Sequence, residues 1–486
     1  MKINNVLKSL SWNSLLRAAR KSSLRRSRTN WSLSALVAVD VLEPRSMLSG
    51  PTANVTAAVS GPNIVLSSDN TGNHSINVFR LNATTVEVDA VAGTVNGKSS
   101  VLLNISTVTG ITVNLGNAYD TYNIYSKSGS PALNVGIGGI TFQGAGGTGN
   151  DLRVHNDSAN AMSIIGNVTV QGTTVGSWLT QSGSSSSYFG LYTNSTGSLT
   201  LQNNVSVALK ATGTENISSE IYTGAAGNLS ILGAVTQKQT LTTGVGENGI
   251  FSGGTGNLTI AYGIQQSQVG LAPGSSNFVS VGYAGSDFES YPTSASSGSV
   301  SIAHIGIAQS SNNTVFNQNL VTLVSGTTSS MTVYGTVTQT ATTAALDLNG
   351  PIITDFPSDA ANVISNDTGG ALTIGGNVAQ NSSGYFGNNL IELYAAGNIA
   401  IQGTVTQTNT SSSSANNFVG VSGNGTLSVS ASLTQSATSA GGAFNLLSSQ
   451  YSEAGKVSIV TTVTQNASTG LSFSALALEG FATQND

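Results

Sequence analysis

Three histidines, no cysteine and a thin scatter of charged groups are the chemistry-bearing side chains this 486-residue chain offers. His74, His155 and His304 stand far apart with no metal-ligand spacing, so no metal site is expected and each reads as solvent-facing. The lack of cysteine removes a disulfide framework, a thiolate metal site and a cysteine nucleophile together. No G-x-S-x-G elbow, phosphate-binding loop or dinucleotide fingerprint occurs, and no cofactor is expected. A site that binds and cleaves a uronate needs Asp beside Lys or Arg; from residue 197 onward the only cations are Lys210, Lys238 and Lys456, so no catalytic residue is expected. Acidic and aromatic groups do concentrate in two places, one holding Tyr283, Asp287, Phe288, Glu289 and Tyr291, the other Asp347, Asp355, Phe356 and Asp359. Rings stack on sugars and carboxylates accept from sugar hydroxyls. Tyr283, Asp287, Glu289, Tyr291, Asp355 and Asp359 are therefore the candidate glycan-binding residues.

The elements that must carry these groups are written in a repeat. GNIAIQGTVTQ (Gly397 to Gln407) returns as GNLSILGAVTQ from Gly227, GNLTIAYGIQQ from Gly256, SSMTVYGTVTQ from Ser329, GALTIGGNVAQ from Gly370, GTLSVSASLTQ from Gly425 and GKVSIVTTVTQ from Gly455. One copy, GSVSIAHIGIAQ from Gly298, carries an extra residue. Each phrase is two short strands split by a break, and a third strand follows it, often opening on Asn, as at Asn277, Asn319, Asn389 and Asn417. Three short strands in a period near thirty residues predict an all-β fold, a single parallel β-helix (β-solenoid) in which each coil buries its apolar face on the next. The two acidic and aromatic stretches fill the two longest repeats, whose excess must leave the coil as loops. Insertions in solenoids gather on one face and form its recognition surface.

Side-chain direction follows from the period of two. Ile399, Ile401 and Val405 point into the coil, whereas Asn398, Ala400 and Thr406 face water. Gln407 shares the parity of Val405 and must also point inward. Gln237, Gln266, Gln309, Gln339, Gln380, Gln407, Gln435 and Gln465 are then predicted to form one ladder of amides bonded along the stack.

Residues 1–50 differ from the rest. They hold nine of the 16 Lys and Arg, leaving 7 basic against 19 acidic groups afterwards, a balance that excludes nucleic-acid binding by the body. Ile3, Val6, Leu7, Leu10, Leu15 and Leu16 recur at helical spacing among basic residues, and WSLSALVAV (Trp31 to Val39) has the length of a signal h-region, too short for a transmembrane span. A basic, helical or disordered export leader is the expectation; the alternative is a permanent amphipathic helix on a membrane surface.

Immediately downstream, Leu42, Glu43, Pro44 and Arg45 open the run LEPRSMLSG, which resembles the LEPR-XLL motif near the N-terminus of many large exported and surface proteins of planctomycete bacteria. Met47 departs from that pattern, in which leucine is usual. The resemblance covers this motif and the leader and implies an address, secreted or cell-surface, with no chemistry attached. GNAYD (Gly116 to Asp120) resembles the calcium turn of RTX repeats, but one degenerate copy without tandem partners does not build that site. The expected organisation is a leader with its motif over 1–50, irregular N-terminal coils over 51–165 and regular repeats over 166–486. The expected role is non-enzymatic, structural or adhesive in the haemagglutinin or adhesin manner, with surface glycans or other matrix proteins as partners; the alternative is a polysaccharide-active or glycan-binding β-helix.

Overall fold

The computed structural model describes residues 53–145, 149–174, 186–211, 216–242, 244–270, 274–282, 297–313, 317–324, 329–343, 360–449, 455–468 and 471–478. They contain no helix. From the strand Asn150–Asn156 onward the chain winds as a parallel β-solenoid, with three strands per coil in a fixed order. In one coil these are Leu229–Ile231, Ala234–Leu241 and Val245–Ser252. Each pairs in parallel with its counterpart one coil on, which for these three are Leu258–Ile260, Gly263–Gly270 and Gly274–Val281. The counterparts stack into a first, second and third sheet. Two long strands, Val378–Leu393 and Val405–Val421, run unbroken from the second sheet into the third. A coil has no other way to satisfy its backbone, because every N–H and C=O of a short strand must find its partner in the coil above or below.

The parity expected from the repeat is the parity observed. Ile399 and Ile401 are fully buried, Val405 is 1% exposed and Asn398 and Thr406 lie in solvent. Each such buried aliphatic group contributes roughly 1.5–3 kcal/mol, and one continuous core cluster links Val55 through to Leu447. The extra residue in the copy from Gly298 does not shift the register, since Gln266 still pairs with Gln309. It is taken up at the corner between first and second sheets, where exposed His304 adopts the left-handed φ of 52° and its ring stacks on Tyr262 at 5.4 Å. Insertion at a corner costs one unusual backbone conformation; insertion in a strand would turn every following side chain over.

The N-terminal coils differ. Asn54–Ser60 pairs antiparallel with Asn63–Ser68, and His74–Asn82 with Thr85–Ala92, before Asp120–Ser126 joins the third sheet in parallel. These hairpins close the first coil, and in the segment Gly110 to Ser126 the two strands turn a corner into different sheets instead of pairing with each other. The two long repeats leave the coil at different corners. One departs after Gly282 of a third strand and resumes at Ser297 before a first strand, the other departs after Thr343 of a second strand and resumes at Ala360 in a third. The residues of both insertions lie outside the described residues.

Candidate functional site

The most extensive assembly of functional groups lies inside the coil. Gln266 Nε2 donates to Gln237 Oε1 at 2.9 Å, and the same bond repeats from Gln309, Gln339, Gln380, Gln407, Gln435 and Gln465, each to the glutamine one coil before it, at 2.7 to 2.9 Å. From Gln266 to Gln435 the second N–H of the amide goes to main-chain carbonyls of the third sheet; Gln407, for example, reaches Asn389 O at 3.2 Å and Phe418 O at 3.1 Å. The whole predicted ladder is present.

A second ladder, which the repeat phrase did not announce, faces it. Asn248 Nδ2 donates to Asn277 Oδ1, and the chain continues through Asn319, Asn362, Asn389, Asn417 and Asn445 at 2.8 to 2.9 Å. Its donors point to the next coil, whereas the glutamine donors point to the previous one. Two amide columns of opposed direction cancel each other's dipole along the axis, which favours keeping both inside one low-dielectric core. The available signal was the asparagine that opens so many third strands.

The outer face of the third sheet carries the polar side chains that could work on a ligand. One row reads Tyr125, His155, Tyr192, Tyr222 and Phe251 on successive coils, with ring centroids 4.8 Å apart at every step. Stacked face to face at the strand spacing, the interior rings spend both faces on one another, and those of Tyr192, Tyr222 and Phe251 are buried. The recurring triplets LYT, IYT and IFS at the ends of these strands were a legible sign of this column. Beside it Arg153 forks onto Asp151 through two bonds of 2.7 Å and lies 5.2 Å from the Tyr188 ring. Tyr188 Oη donates to Glu220 Oε2 at 3.1 Å and Ser218 Oγ to Glu220 Oε1 at 3.2 Å. Asp151, Tyr188, Ser218 and Glu247 occupy one row of the register on four successive coils and Glu220 stands in the next row, so carboxylates of several coils do share this face. Asp151 is held by its arginine, however, and Glu220 and Glu247 are buried.

Two of the three histidines depart from the solvent-facing positions expected of them, and only His304 is exposed. His155 is 6% exposed, lies inside the ring column and bonds Asp157 at 2.9 Å. His74 is 1% exposed and sits between two carboxylates, Nδ1 at 2.6 Å from Asp120 and Nε2 at 3.1 Å from Asp69. Asp120 also accepts from Gly116 N at 2.9 Å, so the GNAYD turn spends its aspartate on a histidine brace. The sequence holds no cue for this contact, because the two residues are 46 apart and meet only through the parallel register of His74–Asn82 with Asp120–Ser126.

Burial opposes the charge on His74, but the hydrogen bond and field of Asp120, joined by Asp69, outweigh it and raise its pKa above the ordinary imidazole value. A group whose pKa is raised by folding contributes stability that is present below its unfolded value, near 6.5, and lost as pH rises through the folded value. The N-terminal coils are therefore expected to exchange their amides faster as pH climbs from mildly acidic to alkaline, beyond the intrinsic base-catalysed increase. His74→Gln should abolish that excess; an unchanged excess in the variant would remove the brace as its cause.

The six candidate glycan-binding residues, Tyr283, Asp287, Glu289, Tyr291, Asp355 and Asp359, lie outside the described residues, as do Leu42, Glu43, Pro44 and Arg45 of the motif. Comparison with protein-family models, curated proteins and solved structures finds no match.

Proposed function

We propose that this chain is a non-enzymatic, exported protein whose solenoid serves a structural or adhesive role at the cell surface or in extracellular matrix. The observation that carries the reading is the pair of buried amide ladders running coil to coil, on a chain with only 8% charged residues. Such ladders lock the register and stiffen the stack, while an outer surface of Ser, Thr and Asn leaves long hydrogen-bonding faces for contact. The carboxylates on the third sheet are engaged in local bonds, which favours a scaffold over a cleavage site. The leader and the LEPR-XLL-like motif supply the address. Among the described residues no helix is long and apolar enough to cross a membrane.

Cell fractionation with an antibody to the body tests the address, and surface attachment of the purified full chain tests the role. Recovery in the surface or extracellular fraction, with saturable attachment to isolated matrix, is the expected result. Retention in the cytosol, or release of reducing sugar from matrix polysaccharide by the pure chain, would overturn the reading.

A further inference from the structure

We propose that a groove on the outer face of the second sheet, centred on Ala208, binds an acidic saccharide, a sugar chain bearing carboxylate or sulfate groups. This deepens the adhesive reading and rests on it. The groove encloses about 350 Å³, and its lining includes two of the three lysines that follow residue 197. Counted along the sequence those lysines are too sparse to neutralise a uronate. The register changes that conclusion.

Gln143, Gln171, Ala208 and Lys238 are partners on four successive coils and form one outward row. The short Ala208 side chain leaves a gap between Gln171 and Lys238. Lys210 stands in the next row, paired with Thr240, so the two ammonium groups flank the gap from adjacent strands. Both lysines are exposed, as are Gln143 and Gln171. The strands that build this face, Val135–Ala145, Val168–Thr174, Val205–Ala211 and Ala234–Leu241, contain no Asp or Glu. In a body with 19 acidic and 7 basic groups after residue 50, this is a local reversal of sign.

The chemistry of the lining selects the ligand. Ammonium groups pair with carboxylate or sulfate, and glutamine amides both donate to and accept from hydroxyls, which is the alternation of groups along an acidic sugar chain. Gln143 is already oriented by its bond to Asn114 Oδ1 at 2.9 Å. Four coils span about 14 Å at the strand spacing, enough for an extended oligosaccharide and more than one ion requires. Two cations are too few for a nucleic-acid backbone, whose binding depends on neutralising many phosphates.

The test measures binding of the full chain to polygalacturonate, to dextran sulfate and to neutral dextran by calorimetry, at low and high salt. Binding to one or both acidic chains, weakened by salt and absent with dextran, is expected, and the responding polymer identifies the carboxylate or the sulfate. The double substitution K210Q/K238Q should weaken it at least about tenfold, with K456Q unchanged, since only the first two lysines meet at the groove. No binding to either acidic chain, or equal binding by K210Q/K238Q with its circular dichroism intact, would overturn the assignment. Loss of acidic-chain binding tells on the groove, whereas failure to reach the cell surface tells on the adhesive reading, so the two fail separately.

Discussion

Gln407→Leu is expected to cost on the order of 3 kcal/mol although it preserves side-chain volume and adds apolar surface, because an orphaned buried polar group costs about 1–3 kcal/mol and several are created at once. In the intact coil Gln407 donates to Gln380 and to two main-chain carbonyls and accepts from Gln435 at 2.8 Å. Leucine leaves the Gln380 oxygen, one Gln435 N–H and the carbonyls of Asn389 and Phe418 without this partner, in a core where Gln407 is fully buried and water cannot replace it. Thr406→Ala, one residue away and exposed, should stay within about 0.5 kcal/mol and serves as the control. Because a solenoid opens by repeats and not as one unit, amide exchange of the coils from Leu372 to Leu447 is the suitable measurement. Equal protection in Gln407→Leu and Thr406→Ala would show that the ladder contributes nothing.

Gly397→Ala should be as damaging as the loss of the ladder, about 3 kcal/mol, at the upper end of the overpacking range. A Cβ at Gly397 would fall inside van der Waals contact with the carbonyl oxygens of Gly370 and Thr368, which are backbone atoms and cannot rotate aside. The same clash with the coil before recurs at Gly227, Gly256, Gly370 and Gly425, so the glycine that opens the phrase marks a column of close backbone approach. The copy that opens on Ser329 shows that one coil can be built around a small side chain. The effect of Gly397→Ala is read as a lower thermal midpoint of the full chain, with Gly61→Ala as a comparison whose Cβ meets nothing within 4 Å but whose φ of 60° still carries a modest strain. An unaltered midpoint for Gly397→Ala would mean that the stack relaxes to admit the methyl group.

The ladder of glutamines was legible in the sequence because it depends on two local facts, parity within a strand and the spacing of the repeat. Gln407 lies two residues after Val405, so both point the same way, and identical phrases bring identical residues into register. The asparagine ladder obeys the same rule, yet its offset from the phrase glutamine switches between odd and even values, 11 at Asn277, 10 at Asn319 and 9 at Asn389, so parity could not be carried from the phrase across the intervening corner. Steps of 29, 42, 43, 27 and 28 residues separate the donor and acceptor of successive asparagine bonds.

Period and parity, both properties of the chain read in order, determined the β-solenoid, its three strands per coil, its inward aliphatic residues and the glutamine column. What depends on the lateral pairing of particular strands was settled by tertiary structure alone. The bond between His74 and Asp120, the place of His155 in the ring column, the bond from Tyr188 to Glu220 and the meeting of Lys210 with Lys238 all arise between strands. The physical reason is that a repeat specifies its own backbone register, while residues that occur once, on the outer faces or in the first coils, carry no periodic signal of their neighbours. Their chemistry exists only after the coils have stacked.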